Sequence, residues 1–105
     1  MPKRSSLSYG AAAILHAIAS GHRFGFDIIE ATGLTSGTVY PALERLEADG
    51  LLRSKWESEV DAHRDGRPAR RYFALTPRGV ESLAHALDRY KALRPIPGFA
   101  RGSAE

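Results

Sequence analysis

Apolar residues recur at the spacing of an α-helix in three segments of the first half of the chain. Ser8 can cap the first segment, and either Thr35 or Ser36 can cap the third. A glycine follows each segment where a helix would end, at Gly21, Gly33 and Gly50. The pattern predicts three helices, whose core-facing residues are Ile14, Leu15, Ile18, Phe24, Ile28, Ile29, Val39, Leu43 and Leu46.

After the third segment the hydrophobic period changes from 3.6 residues to 2. Leu52, Ser54 and Trp56 alternate with charged residues, and a second alternating run contains Phe73 and Leu75. A loop with glycine and proline joins the two runs, which together predict a β-hairpin. Trp56 is expected on the inward face of its strand, packed against the helices. A role in stacking a flat aromatic ligand is the alternative.

A helical period returns at the end of the chain. Thr76, followed by proline, stands where an N-cap is expected. Val80, Leu83, Leu87 and Tyr90 then form a narrow apolar stripe of the kind that pairs with a copy of itself. We expect Val80 and Leu83 to cover part of the subunit's own core. Leu83, Leu87 and Tyr90 are the predicted dimer interface.

The order of elements is three helices, a hairpin and a fourth helix. Two helices joined by a short turn and followed by a hairpin fit a winged helix-turn-helix, which is a mainly α fold (α+β) with a two-stranded wing. Residues 1–75 are the predicted DNA-binding domain and residues 76–93 the dimerisation helix. Residues 94–105, rich in proline and glycine, are expected to be disordered.

Composition narrows the functional classes. The 105 residues suffice for one domain. There are no cysteines, which excludes disulfides and thiolate nucleophiles. No apolar run is long enough for a membrane span, no secretory signal is expected, and the predicted location is the cytoplasm. No catalytic or phosphate-loop motif occurs and the four histidines lack metal-ligand spacing, so neither an enzyme nor a cofactor is predicted.

The outward face of the third helix is small or flat near its N-terminus. Gly37 and Pro41 lie opposite the core residues, and Thr38 and Tyr40 flank them. Such a face allows close approach, and the positive end of the helix favours phosphate. Thr38 is the first candidate for contact with a base. Arg45 is the next, with a phosphate contact or a pair with a neighbouring carboxylate as its alternatives. An irregular first turn, with Tyr40 packed on the second helix, is the structural alternative.

Positive charge is concentrated between the two strands. The net charge is only +3, yet nine residues, 63–71, hold four arginines. By itself such a loop is more often a solvated surface than a binding site. Next to a helix-turn-helix it predicts a wing that contacts the DNA backbone through Arg64, Arg67, Arg70 and Arg71.

Three stretches, SGTVYPALERLEADGLL, SKWESE and GRPARRYFALTPRG, together resemble the signature of the PadR family of bacterial transcriptional regulators. The resemblance covers about residues 7–93. It implies a dimeric winged helix-turn-helix regulator, usually a repressor, that is released from DNA by a small molecule or another signal. On this resemblance Ser36, Thr38 and Tyr40 begin the recognition helix, and the last three arginines of the loop belong to the basic wing.

The predicted function is therefore sequence-specific binding of double-stranded DNA by a homodimer, at a palindromic operator. A winged helix that binds proteins, without specific DNA binding, is the alternative. The predicted DNA-binding residues are Ser36, Gly37, Thr38, Tyr40, Arg45, Arg64, Arg67, Arg70 and Arg71.

Overall fold

The structure, a computed structural model, describes residues 7–90. The predicted tail, 94–105, and the last residues of the predicted dimerisation segment lie outside the described residues. Within them the chain forms five helices and one antiparallel pair of strands, which confirms the mainly α winged-helix fold class. The elements are α1 (Tyr9–Ala19), α2 (Gly25–Thr32), α3 (Ser36–Ala48), β1 (Leu52–Trp56), α4 (Glu59–Arg64), β2 (Arg71–Leu75) and α5 (Pro77–Arg89).

The capping residues act at the predicted places, with one difference. The Ser8 hydroxyl accepts a hydrogen bond from the Ala11 amide at 3.1 Å, and so fixes the start of α1. At α3 the N-cap is Thr35 rather than Ser36. The Thr35 hydroxyl does not cap the helix, however, because it donates to the Thr38 hydroxyl at 3.1 Å. The first turn of α3 therefore keeps backbone amides that no cap side chain satisfies.

The core lies where α1, α2 and α3 meet the strands. Burying each large aliphatic side chain stabilises the fold by about 1.5–3 kcal/mol. All the predicted core-facing residues of the three helices are buried except Phe24 and Ile29, which are partly buried. The buried core cluster consists of Ile14, Leu15, Ala17, Ile18, Ile28, Val39, Leu43, Leu46, Leu51, Leu52, Phe73 and Leu83.

Trp56 does not lie in this core, so the prediction of an inward tryptophan was wrong. It is the last residue of β1, its side chain is 63% exposed, and it pairs across the sheet with Arg71. At that end of the sheet the cross-strand neighbour carries a charge, and the apolar layer on this face ends two pairs earlier, at Ser54 and Phe73. Period-2 alternation gives the face of a residue but not how far the core extends along the strand.

Helix α5 is rotated relative to the prediction. Gly79, Leu83 and Ala86 are its buried residues, whereas Val80 is 57% exposed and so does not cover the core as expected. Leu87 is partly buried against the core cluster. A stripe of four residues spans more of the helix surface than one neighbour covers. Val80, at the N-terminal end, is the residue left outside.

The loop between the strands contains a helix that the sequence analysis missed. In α4 the Ser58 hydroxyl accepts a hydrogen bond from the Asp61 amide at 3.0 Å, and Ala62 is buried. Ser58 with Asp61 three residues later is a capping signal. The helix has only six residues, too short for a hydrophobic period to reveal it.

The end of α3 is tied to the start of α5. The Thr76 hydroxyl donates to the Gly50 carbonyl at 2.6 Å, and the Thr76 amide donates to the Leu51 carbonyl at 3.1 Å. The backbone of Gly79 packs directly on the Leu51 carbonyl and leaves no room for a Cβ atom. These contacts join the start of α5 to the turn that follows α3.

Candidate nucleic-acid interface

Helix α3 has one buried face and one bare face. Val39, Leu43 and Leu46 hold it against the core. The opposite face is exposed and carries the five residues predicted to contact DNA from this helix. These are Ser36, Gly37, Thr38, Tyr40 and Arg45.

Gly37 lies in open space. A Cβ atom added there would meet nothing closer than the Thr35 hydroxyl, at 3.9 Å. The fold itself therefore does not require a glycine at this position. Pro41 adds a second effect, because it lacks an N–H and the Gly37 carbonyl is left without its usual donor four residues on. A carbonyl acceptor and a missing side chain thus coincide on the exposed face.

Tyr40 combines the two interpretations left open by the sequence. Its ring packs on α2, where a Cβ atom added to Gly25 would lie 2.5 Å from the Tyr40 Cε1 atom. The side chain is nevertheless 49% exposed. Gly25 therefore provides the space that sets the direction of Tyr40, and the free part of the ring remains on the outer face of α3.

Arg67 is bound within the wing. Its guanidinium donates to both carboxylate oxygens of Glu57, at 2.6 and 2.8 Å, and to Asp65 at 3.2 Å. The Arg70 amide also donates to Glu57, at 3.1 Å. The hydrogen bonds from Arg67, more than that amide, lower the pKa of Glu57 to about 2, and the same pair raises the pKa of Arg67. Predicted as a DNA contact, Arg67 is the centre of an ion-pair cluster in this structure.

Arg71 joins the wing to α3. It donates to Glu44 at 2.8 Å and to Glu47 at 2.5 Å, and its Nε donates to the Ser54 hydroxyl at 3.1 Å. The bond to Glu44, followed by the charge of Glu47, raises the pKa of Arg71. The side chain thus crosses from β2 to the helix and fixes the angle between them. A phosphate would have to compete with two carboxylates for it.

The other predicted cations are more accessible. Arg64 is exposed and makes one ion pair, with Asp61 at 3.3 Å. The Arg70 guanidinium lies 4.1 Å from the centroid of the Phe24 ring. Neither Arg70 nor Arg45 forms an ion pair with a carboxylate of residues 7–90, so the proposed pairing of Arg45 with Glu44 or Asp49 is not seen there.

Sequence reasoning missed three further cations. Arg23, Arg53 and Lys55 are exposed, and none forms an ion pair within the described part of the chain. The alternation of β1 had already placed Arg53 and Lys55 on the outward face of the wing. The number of arginines in the loop did not predict which cations are available, because several of them form ion pairs with carboxylates in the folded chain.

The predicted dimer residues make contacts within one subunit. Leu83 is buried in the core and Leu87 packs on it. The Tyr90 hydroxyl donates to the Leu7 carbonyl at 2.8 Å, and its ring meets the Tyr9 ring edge-on, with 5.4 Å between centroids. The apolar surface that α5 leaves exposed is instead the side of Val80 and Ala84.

The described residues form neither a metal site nor a membrane-spanning helix. Between residues 7 and 90 no three histidine or acidic side chains are placed to hold a metal ion. None of the helices described is long and apolar enough to cross a membrane.

Comparison with known proteins decides the family. Residues 14–85, more than half of the chain, match the family described as transcriptional regulator PadR-like. The chain belongs to this PadR-like family. It is a regulator of transcription and not an enzyme, and the resemblance in its motifs is confirmed.

The PadR-like chain is also similar to a curated protein. It is 52% identical over 50 residues to the transcriptional regulator Rv3488 of Mycobacterium tuberculosis. The match takes in 48% of this chain and 41% of that protein, so it spans less than half of the relative.

Solved structures share the fold of this PadR-like chain. A PadR family transcription regulator from Clostridium difficile R20291 superimposes with a TM-score of 0.69 at 24% identity, over 80% of this chain and 88% of that one. A transcriptional regulator from Clostridium thermocellum gives 0.66 at 22% identity, over 80% and 84%. BpsR from Bordetella bronchiseptica, whose DNA binding is regulated by 6-hydroxynicotinic acid, gives 0.63 at 22%, over 88% and 64%.

Proposed function

We propose that this PadR-like regulator is a cytoplasmic homodimeric repressor that binds a palindromic operator in double-stranded DNA. The observation that supports this most directly is the division of α3 into a fully buried face and a bare N-terminal face. Gly37 leaves room for a close surface, and the positive end of the helix faces the same way. A helix end of this shape fits the major groove.

On α3 the contacts divide by chemistry. Thr38 is short and exposed, and its hydroxyl can donate or accept at a base edge. Ser36 and the uncapped amides of the first turn suit a phosphate. Arg45 lies further along the helix with a free guanidinium and reaches either a base or the backbone. Tyr40, held by α2, offers its exposed edge beside them.

In the wing, we assign different roles to the four arginines. Arg64 and Arg70 carry the phosphate contacts, since neither is enclosed by carboxylates. Arg67 and Arg71 hold the wing in place and orient it on α3. The strength of their pairs means that they position the interface more than they contact DNA.

Dimerisation would use the exposed side of α5. Val80, Ala84 and Leu87 recur at i, i+4 and i+7, the spacing of one helix face. A two-fold axis beside this stripe would repeat α3 on the other half-site, about one DNA turn away or a multiple of it. Val80→Glu places a charge in this interface without touching the core. We expect light scattering to report monomers, and an unchanged dimer mass would refute this interface.

Release from DNA is proposed to follow binding of a small molecule, by analogy with BpsR, whose DNA binding is regulated by 6-hydroxynicotinic acid. A cleft of about 620 Å³ between α2, α3 and the wing is large enough for one. Phe26, Tyr40 and Arg70 are among its lining residues. A ligand there would touch Tyr40 and so act directly on the recognition face.

The test is fluorescence anisotropy with the DNA upstream of the protein's own gene, against scrambled DNA, over a salt series. Preference for the native fragment, weakening with salt, is the expected result. Equal and weak binding to both, repeated with fragments selected from the whole genome, would reject the proposal. It would favour a protein-binding winged helix, for which the exposed Phe26 and the neutralised wing arginines would then be the contact surface.

A further inference from the structure

A second cleft lies on the outer face of the wing, away from α3. Its floor is the outward side of the sheet, where Lys55 pairs with Tyr72 and Arg53 pairs with Ala74. The turn between α1 and α2 forms one wall, and the segment from Trp56 to Asp61 forms the other. The volume is about 990 Å³, at the upper end of the range for small-molecule sites. We call it the outer wing cleft.

Three cations line the outer wing cleft, and none of them forms an ion pair with a carboxylate of residues 7–90. Arg53 and Lys55 are two positions apart on one face of β1, about 7 Å along the strand. Arg23 reaches the same space from the α1–α2 turn, where its Nε makes only a long hydrogen bond of 3.4 Å to the Phe73 carbonyl.

The two carboxylates at this cleft do not cancel those charges. Glu57 is held by both guanidinium nitrogens of Arg67, and Asp61 is paired with Arg64. Their negative charges are therefore already matched by arginines that do not line the cleft. The remaining charge favours an anion.

Aromatic rings line the same cleft. Trp56 is exposed, and Tyr72 stands on the floor beside Lys55. The Phe24 ring supports Tyr72 edge-on, with 5.6 Å between ring centroids, and so fixes its orientation. One exposed and one half-buried ring beside cations without ion pairs form an arrangement on which a base can stack while its phosphate is neutralised.

We propose that the outer wing cleft binds a nucleotide, with its base against Trp56 or Tyr72 and its phosphate on Arg53, Lys55 and Arg23. A simple inorganic anion would leave the rings unused, and a neutral aromatic compound would leave three cations unused. The nucleotide can be free or a unit of a single strand, since both present the same base and phosphate. No residue of α3 lines this cleft, so the site is distinct from the α3 recognition surface.

Trp56 supplies the measurement because it is the single tryptophan of the chain. Its fluorescence is titrated with AMP, adenosine, ribose 5-phosphate and a short oligothymidylate. We expect saturable quenching by AMP. The dissociation constants of adenosine, which lacks the phosphate, and of ribose 5-phosphate, which lacks the base, should be at least about tenfold larger than that of AMP. Quenching by the oligothymidylate but not by AMP would support the site with a single strand as its ligand.

Variants locate the site. The double variant Arg53→Gln with Lys55→Gln changes exposed residues only, and should weaken AMP or oligothymidylate binding at least about tenfold. Arg78→Gln is a matched loss of an exposed arginine elsewhere and should leave binding unchanged. Phe26 lies in the cleft beside α3, which Trp56 also lines. Phe26→Ala should likewise leave AMP or oligothymidylate binding unchanged.

Two results would overturn the proposal. The first is the absence of saturable quenching by both AMP and the oligothymidylate at low salt. The second is quenching that the Arg53/Lys55 double variant leaves intact, or that Phe26→Ala abolishes, since the ligand would then occupy the other cleft.

Discussion

Helix α3 and the wing were both expected to present side chains to DNA, but the structure treats them differently. On α3 the expected residues are exposed, and Thr38 and Arg45 make no ion pair within residues 7–90. In the wing, Arg67 and Arg71 are enclosed by carboxylates. Exposure on a helix follows from its period, which local sequence determines. Availability of a charge depends on partners that are brought close only by folding.

The largest effect on stability should come from a change beneath α3. Gly25→Ala places a methyl group 2.5 Å from the Cε1 atom of the Tyr40 ring, so the ring or the helix must move. We expect a loss of about 1–3 kcal/mol in the free energy of unfolding, as for other overpacked sites, together with weaker DNA binding. Urea denaturation and anisotropy measure the two. Full stability with a native α3 surface would show that Gly25 does not position Tyr40.

Gly37→Ala is the matched change on the exposed side of the same helix. Because open space surrounds this position, stability should stay equal or rise by about 0.5–1 kcal/mol, since alanine favours helix. DNA affinity should nevertheless fall about tenfold if a surface approaches as closely as proposed. Thermal denaturation and anisotropy on one preparation test both. Unchanged affinity would remove Gly37 from the interface.

Acid should loosen the wing by protonating Glu57 and breaking its pair with Arg67. Because Arg67 lowers the pKa of Glu57 to about 2, the pair stabilises the fold fully above the unfolded-state pKa of about 4.5. This contribution is lost as the pH falls from about 4.5 to about 2. Thermal unfolding across that range should show a steeper loss of stability for the native protein than for Glu57→Gln. Parallel profiles would contradict the role of the pair.

The smallest effect separates the arginines of the wing. Arg64→Gln should reduce the slope of log affinity against log salt by about 0.9, the value for one phosphate contact. Arg67→Gln should leave that slope nearly unchanged, although it destabilises the wing. Anisotropy over a salt series measures both slopes. If Arg67→Gln lowers the slope as much as Arg64→Gln, the ion pair with Glu57 opens on DNA and the contrast between the two regions fails.

The sequence was sufficient for α1, α2, α3, α5 and the two strands, because each of them carries a local signal. The period of Val39, Leu43 and Leu46 and the caps at Ser8 and Thr76 needed no knowledge of the rest of the chain. The contacts of the candidate site were harder to predict from the sequence. Arg71 meets Glu44 and Glu47 across 27 and 24 positions, a pairing that no local pattern encodes.

The same limit explains the error at Trp56. Alternation placed it on the face of Leu52, but Trp56 is the last residue of the strand, and its side chain lines the clefts on both sides of the sheet. The short α4 was missed for the opposite reason, because its one strong signal is a cap and not a period. Such errors fell where packing or length, and not composition, decides the outcome.

The tie between Thr76 and the end of α3 has a geometric consequence. Thr76 donates to the Gly50 and Leu51 carbonyls and Gly79 packs on Leu51, so the start of α5 is held against the turn that ends α3. In a dimer paired through α5, the angle at which the two α5 helices cross would set both the distance and the tilt between the two recognition helices. The dimer would then fix the spacing between its two recognition helices. A substitution in the α5–α5 interface would shift the preferred half-site spacing without altering a residue that contacts DNA.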